Sequence, residues 1–144
     1  MKLIIKLLEK SNTDTALLLL RIGATLMMLT HGIPKLMQFF SGEPIAFASV
    51  MGMSMGMSLA LAIFAEVICS VFIFLGLGTR LATIPLIITM LTATLYIHAN
   101  DPFSSKELSL LYALIFITLL LTGGGKYSID YTISNSFKRK TKAA

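Results

Sequence analysis

Four long apolar stretches follow one another along the chain, and they predict four membrane-spanning helices. They run from about residue 16 to 40, from about 55 to 77, from 81 to 99 and from about 105 to 122. Each has roughly the 20 apolar residues that an α-helix needs to cross about 30 Å of hydrocarbon. The pattern therefore predicts an all-α fold, an integral membrane four-helix bundle, in a single domain.

Shorter elements are predicted beside these spans. The apolar stretch 45–77 is too long for one span, so we assign 44–52 to a short interfacial helix between spans one and two. Residues 1–10, MKLIIKLLEK, place apolar and basic residues on opposite helical faces, which is typical of a helix lying in the headgroups. Ser104 and Glu107 have the spacing of a capping box at the start of span four.

The basic residues are concentrated on one side of the predicted bundle. Of the 12 Lys and Arg residues, nine lie on the cytoplasmic side if both termini are cytoplasmic, and only Lys106 lies in an outer loop. This asymmetry follows the positive-inside rule and predicts cytoplasmic termini. The nine are Lys2, Lys6, Lys10, Arg80, Lys126 and, in the basic tail 132–144, Lys138, Arg139, Lys140 and Lys142.

Composition places the chain in a membrane rather than in water. It is 56% hydrophobic and 13% charged, whereas soluble domains have about 25% charged residues. The net charge of +5 is not a nucleic-acid signal, because the basic residues are not spread over a soluble surface. Cys69 is the single cysteine, which excludes an intramolecular disulfide, a CxxC redox pair and a cysteine-based metal centre within one chain.

Ionisable residues within or next to the spans are the candidate functional residues, since a charge inside hydrocarbon is costly and usually faces a partner or a cavity. Antiparallel packing of four helices is expected to bring four of these residues together towards the outer side, namely His31, Lys35, His98 and Glu107. Glu66 is then beneath them and Arg21 nearer the cytoplasm. The set comprises Arg21, His31 and Lys35 in span one, Glu66 in span two, His98 at the end of span three and Glu107 at the start of span four.

Glu66 occupies the middle of span two. It belongs to a stripe of small and polar residues at i+4 spacing, Ser58, Ala62, Glu66 and Ser70, which lets another helix approach closely. An unpaired carboxylate at this depth would be driven neutral by desolvation. We predict that Glu66 faces the bundle interior and meets Arg21 or a histidine, either as a structural ion pair or in a proton or ligand role.

Structural explanations stay open for the other charged residues. Lys35 can extend its ammonium group to the outer interface, and His98 can be a polar residue at the end of a span. Glu107 can serve only to complete the capping box. Arg80 can be a positive-inside anchor. These alternatives require no ligand.

Residues 51–58 read MGMSMGMS, a tandem repeat with a methionine at every second position. Thioethers are soft donors that suit Cu(I), so a copper site formed by Met51, Met53, Met55 and Met57 is one hypothesis. The alternative is an adaptable helix end filled with Met and small residues. The residues point to no other metal site.

The pattern as a whole resembles the DoxX family of small four-helix inner-membrane proteins. The resemblance covers about residues 15–131. It rests on LLLRIGATLMMLTHGIPKL in span one, on Glu66 ten residues before the GLGTR turn, on the end of span three at His98, on Glu107 and on the closing GGGKYSID. It implies a multi-pass protein of the bacterial cytoplasmic (inner) membrane.

The resemblance also implies a role in redox chemistry. Named members are associated with thiosulfate:quinone oxidoreductase and with membrane complexes that handle thiols and oxidative stress, while many members have no assigned activity. We expect a membrane subunit of a redox system that binds a quinone or a small anion in a polar intramembrane pocket. In this hypothesis the catalytic residues are Glu66, His98 and His31, and the ligand-binding residues are Arg21, Lys35, Arg80 and Glu107.

Two alternatives belong to other functional classes. The first is a non-catalytic membrane scaffold or carrier protein, in which the same charges only specify helix packing and dock a partner. The chain contains nothing that holds electrons without a bound cofactor, so in the leading hypothesis it is expected to be an accessory subunit of an oxidoreductase. The second alternative is copper handling through the methionine repeat. The expected partners are membrane lipid and either other redox subunits or further copies of the chain.

Overall fold

Helices account for all the regular secondary structure that the computed structural model describes, which covers residues 12–143. Four of the described helices are long and apolar enough to cross a membrane, so the predicted four-helix membrane bundle is confirmed. The helix predicted over 1–10 lies outside the described residues. The elements are α1 (Thr13–Phe40), α2 (Met55–Leu75), α3 (Thr79–Ile97), α4 (Phe103–Thr122) and α5 (Ile129–Ala143).

The predicted capping box at the start of α4 is wrong. The helix begins at Phe103 and its N-cap residue is Pro102, with no side-chain cap hydrogen bond. Ser104 is therefore the second residue of the helix and not its cap, so Glu107 is too far along the first turns to complete the motif. Glu107 is exposed.

The predicted short helix over 44–52 is also wrong, since the segment between α1 and α2 has no helix. Side chains take up carbonyl groups that a helix would use: Gln38 Nε2 donates to Ala46 O at 3.2 Å and Ser49 Oγ donates to Met53 O. Met51 and Gly52 have φ of 49° and 78°. Positive φ at both central residues is typical of a tight turn and is incompatible with a helix.

Helices α1 and α2 pack closely, as the small-residue stripe predicts. Ser58, Glu66 and Ser70 are all buried. On the facing helix, a Cβ atom at Gly32 would lie 2.8 Å from Val67 Cγ2 and 3.0 Å from Glu66 Cβ. Gly32 is therefore required for the close approach of the two helices.

Helices α2 and α3 each contain a π-helical turn, Phe64–Cys69 and Ala93–Ile97. A π-turn inserts one extra residue, which rotates the side chains that follow relative to a regular helix. The first π-turn contains Glu66, and the second lies directly before His98. Such insertions occur frequently at functional sites.

The end of the bundle that we expect in the cytoplasm is closed around Arg21. This side chain is 1% exposed, and its guanidinium donates to Gly124 O at 2.6 Å and to Phe74 O and Tyr127 O at 3.2 Å. Asp130 seals the same end, since its carboxylate accepts from Gly78 N at 2.7 Å and Thr79 N at 2.9 Å at the start of α3. These contacts join α1, α2, α3 and the glycine-rich segment after α4.

We predict that both chain termini are cytoplasmic. The start of α1 and the segment after α4 meet, because Asp14 Oδ1 accepts from Lys126 N at 3.0 Å. Together with the basic asymmetry, this places both on the inner side. A reporter fused after Ala144 should be active only when the reporter works in the cytoplasm, and activity confined to a periplasmic reporter would contradict the orientation.

Replacing Gly76 with Ala should destabilise the closed end more than replacing Gly78. Both residues have positive φ, so Ala costs about 1–2 kcal/mol of backbone strain at either position. A Cβ at Gly76 would also lie 2.6 Å from Arg21 Nη1, whereas one at Gly78 meets nothing within 4 Å. The free energy of unfolding in detergent should fall by about 1–3 kcal/mol more for Gly76→Ala. Equal losses would mean that Arg21 has room to move.

Candidate functional site

Glu66 forms an ion pair with Lys35 inside the bundle. Lys35 Nζ lies 2.6 Å from Glu66 Oε1 and 2.5 Å from Oε2. The side chain of Glu66 is 3% exposed and that of Lys35 is 27% exposed. The prediction that Glu66 faces the interior is confirmed, but its partner is Lys35 and neither Arg21 nor a histidine.

The register of α1 against α2 explains this choice of partner. Gly32 packs directly against Glu66, and Lys35 lies about one helical turn further towards the outer side. From there its flexible stem reaches back to the carboxylate. Arg21 is 14 residues from Lys35 in sequence, which is about 21 Å along a helix. It is therefore too far away to contact Glu66.

A polar cavity of about 240 Å³ opens beside the ion pair. It brings together four of the predicted site residues, which come from three helices: His31 and Lys35 on α1, Glu66 on α2 and His98 after α3. The fourth wall is α4, which contributes Ser105, Ser109 and Tyr112. The structure thus brings these residues together at the end of the bundle away from Arg21, whereas Glu107, which was expected beside them, does not line the cavity.

His98 is oriented by a neighbouring carboxylate. His98 Nδ1 lies 2.7 Å from Asp101 Oδ2, and both side chains are partly exposed. This contact fixes the imidazole ring and leaves Nε2 as the nitrogen that is free to meet a ligand. Asp101 was not among the predicted site residues. The i, i+3 spacing from His98 is the signal that was available.

Hydroxyl groups on α3 and α4 form a second feature that sequence reasoning missed. Thr94 Oγ1 and Ser109 Oγ are 2.7 Å apart and buried. Tyr112 contacts His31 edge to face, with ring centroids 6.1 Å apart. Hydroxyl residues occur throughout these spans, so no sequence signal distinguishes the ones that face the cavity. Ser109 and Tyr112 add neutral hydrogen-bonding groups to the wall of the cavity that α4 forms.

A second cavity of about 320 Å³ lies on the other side of the ion pair. Lys35, Glu66, Ala93 and His98 line both cavities. The rest of its lining is predominantly apolar and comes from the segment between α1 and α2, from α2 and from α3. The ion pair therefore stands at the boundary between a polar and an apolar space.

Two predicted ligand-binding residues lie at the opposite end of the bundle. Arg21 is enclosed by carbonyl groups, and it lines neither cavity. Arg80 is exposed and donates to Leu121 O at 3.1 Å, beside the turn between α2 and α3. Near them Lys126 pairs with Asp14 at 3.0 Å, and this hydrogen bond raises the pKa of Lys126. The predicted ligand set is thus divided between the two ends.

The four methionines of the repeat lie in two different environments. Met51 is in the turn before α2, Met53 closes that turn, and both line the apolar cavity. Met55 and Met57 are in the first turn of α2 and more than half exposed. A copper site among them stays a prediction.

Comparison with known proteins identifies the family of the chain. The DoxX family profile matches residues 16–99, which is more than half of the 144 residues. The chain belongs to the DoxX family. This DoxX protein is 30% identical over 128 residues to an uncharacterised protein of Haemophilus influenzae, with 84% of this chain and 90% of that protein covered. No solved structure matches it.

The region that matches the DoxX profile contains α1, α2 and α3. It therefore includes Lys35, Glu66 and both histidines, while α4 and the segment that encloses Arg21 lie beyond it. DoxX proteins are associated with redox-linked roles in membranes.

We predict strong energetic coupling between Lys35 and Glu66. Glu66→Gln leaves the ammonium without its counter-charge, and because Lys35 is partly exposed the loss should be about 1–3 kcal/mol, below that of a fully buried pair. Lys35→Met strands the carboxylate, and the double variant Lys35→Met/Glu66→Gln should be more stable than the sum of the single losses predicts. Denaturant unfolding in detergent measures all three.

The exposed Glu107 provides the matched control for this cycle. Glu107→Gln makes the same chemical change outside the cavity and should alter the unfolding free energy by less than about 0.5 kcal/mol. Additive losses in the double variant would show that the ion pair contributes little to the fold.

Proposed function

We propose that this DoxX protein is a membrane subunit of a redox system and binds a quinone or a small anion in the polar cavity. The observation that carries the proposal is a buried ion pair, Lys35 with Glu66, that opens onto a cavity lined by two histidines. The proposed location is the bacterial cytoplasmic membrane, with other redox subunits as partners.

The contrast with Arg21 supports a ligand role for the ion pair. The Arg21 guanidinium is almost fully buried among carbonyl groups, as expected for a residue with a structural function. The Lys35 side chain is 27% exposed and lines the cavity, so its ammonium group is accessible to a ligand. An ammonium group has three N–H donors, so it can contact both carboxylate oxygens and still donate to a ligand.

The groups around the cavity fit both kinds of ligand. A quinone presents carbonyl oxygens that accept hydrogen bonds. Lys35 and the free nitrogen of His98 would hold one of them, and the hydroxyl groups of Ser109 and Tyr112 face the cavity from α4. A small anion would be held by the positive charge of Lys35. When bound, a quinone supplies the capacity to accept electrons, which no side chain of this protein supplies.

Glu66 and His98 are placed to hold and move protons. Both line the same cavity, and a carboxylate or an imidazole next to a ligand can exchange a proton with it. His98 is 37% exposed and paired with Asp101, so it also contacts the aqueous side. The proposed proton route runs from the outer surface through His98 to the cavity and Glu66, with His31 on the adjacent wall.

The scaffold alternative is tested by the double variant Lys35→Met/Glu66→Gln. It removes both charges together, so no single buried charge is left. If the ion pair only holds α1 against α2, the folded double variant keeps the ligand binding of the wild type. If the pair serves a ligand, the folded double variant loses it.

The deciding measurement is the ultraviolet–visible spectrum and the lipid extract of purified protein. We expect quinone to be retained by the wild type and by the control Glu107→Gln, and to be lost from the double variant. Because the cavity also suits a small anion, protein without quinone should bind thiosulfate in a calorimetric titration. Wild-type protein that retains no quinone and binds no anion would contradict the proposal.

A further inference from the structure

The apolar lining of the cavity next to the ion pair does not suit a small polar ligand. Its volume of about 320 Å³ is at the lower end of the roughly 300–1,000 Å³ of small-molecule sites. Most of its lining is aliphatic or aromatic, including Phe47, Val50, Met53, Leu61, Ile88 and Ile97.

One wall of this cavity is a segment that we call the cover. The segment 45–53, which lies between α1 and α2, is tied to α1 by Gln38 Nε2, which donates to Ala46 O at 3.2 Å. It is tied to α2 by Val50 N, which donates to Ser58 Oγ at 3.2 Å. Val50 is 8% exposed although it belongs to a segment without helix or strand. The cover is thus held by specific contacts on both sides.

The polar groups of the apolar cavity are concentrated where it meets the ion pair. Lys35, Glu66 and His98 belong to both cavities, so one ligand can contact these charged groups and also extend into the apolar space. The complementary ligand has a small head with acceptor oxygens and one apolar tail.

We propose that the apolar cavity holds the tail of such an amphiphile, with the head at Lys35, Glu66 and His98. This inference rests on the proposed function and extends it to the class of ligand. Met51 and Met53 then serve as adaptable lining for a flexible chain, in keeping with the use of methionine at surfaces that must accommodate varied shapes.

Two sources supply this chemistry, a prenylated quinone and a free fatty acid. Both have acceptor oxygens at one end and a single long tail. A tail that leaves the cavity enters lipid or detergent and not water, so its contribution to binding comes from fit and not from the hydrophobic effect. A change in the shape of the cavity should therefore alter binding of the tailed ligand specifically.

The test uses three probes on full-length protein in detergent: a dimethoxy-methyl-benzoquinone without a tail, the same ring with a decyl tail, and decanoate. Thr92→Phe introduces a ring at a residue that lines only the apolar cavity. Leu95→Phe is the matched control on the same helix, since Leu95 is 71% exposed and lines neither cavity.

We expect the wild type and Leu95→Phe to bind one of the tailed probes, and Thr92→Phe to bind that probe about tenfold more weakly, because the added ring occupies space the tail needs. Which tailed probe binds identifies the source. Two results would overturn the tail site and leave the proposed head site standing. In the first, Thr92→Phe binds the tailed probe with unchanged affinity. In the second, the wild type binds the two quinones, with and without the tail, equally well and does not bind decanoate. Absence of binding by all three probes and by thiosulfate would contradict the proposed function itself.

A photoreactive group at the end of the tail provides a readout that needs no variant. It should label peptides from 45–53 and from the second half of α3. Labelling confined to lipid-facing residues such as Leu114 and Leu121, which are 62% and 72% exposed, would overturn the tail site.

Discussion

A charge inside a membrane must find its compensation within the protein, and helix α1 meets this requirement in two different ways. Arg21 is compensated by three backbone carbonyl groups, while Lys35 is compensated by one carboxylate on a neighbouring helix. The planar guanidinium has five N–H donors and suits several fixed acceptors. The compact ammonium on a flexible stem suits a single partner and a changeable environment. The positions of α2, of the glycine segment and of the cavities all follow from these two solutions.

The π-turns connect the compensation of charge to the shape of the bundle. Without the π-turn at Glu66, the residues that follow in α2 would be rotated about the helix axis relative to their observed positions. The same holds for the π-turn in α3 before His98. The backbone geometry of a π-turn is less favourable than that of a regular helix, so other interactions of the protein must compensate for it. Here both insertions lie in the walls next to the two cavities, which shows that the helices deviate from regularity at the same place where the charged residues meet.

The length of the apolar stretches was sufficient to predict the spans. The cost of buried charge selected His31, Lys35, Glu66 and His98, which line one cavity, but the same argument also selected Arg21 and Glu107, which do not. The partner of Glu66 was not predictable, because it depends on the register set by Gly32 against Val67, and helix register cannot be deduced from composition or spacing. The loop between α1 and α2 was mistaken for a helix because its apolar residues contact a cavity and not a lipid surface. Asp101 and the hydroxyl groups of α4 were missed because each is common in its own sequence context.

The difference between the two ends of the bundle determines where function can reside. The Arg21 guanidinium donates its hydrogen bonds to backbone carbonyl groups, and a Cβ at Gly76 or Gly124 would approach it to 2.6 or 3.1 Å, so a ligand has no space there. At the outer end the ion pair is bordered by two cavities and retains a partly exposed cation. Rigidity at one end and open space at the other are complementary, because a cavity between four helices persists only if the helices are held elsewhere. The closed end therefore maintains the geometry in which the two cavities at the other end persist.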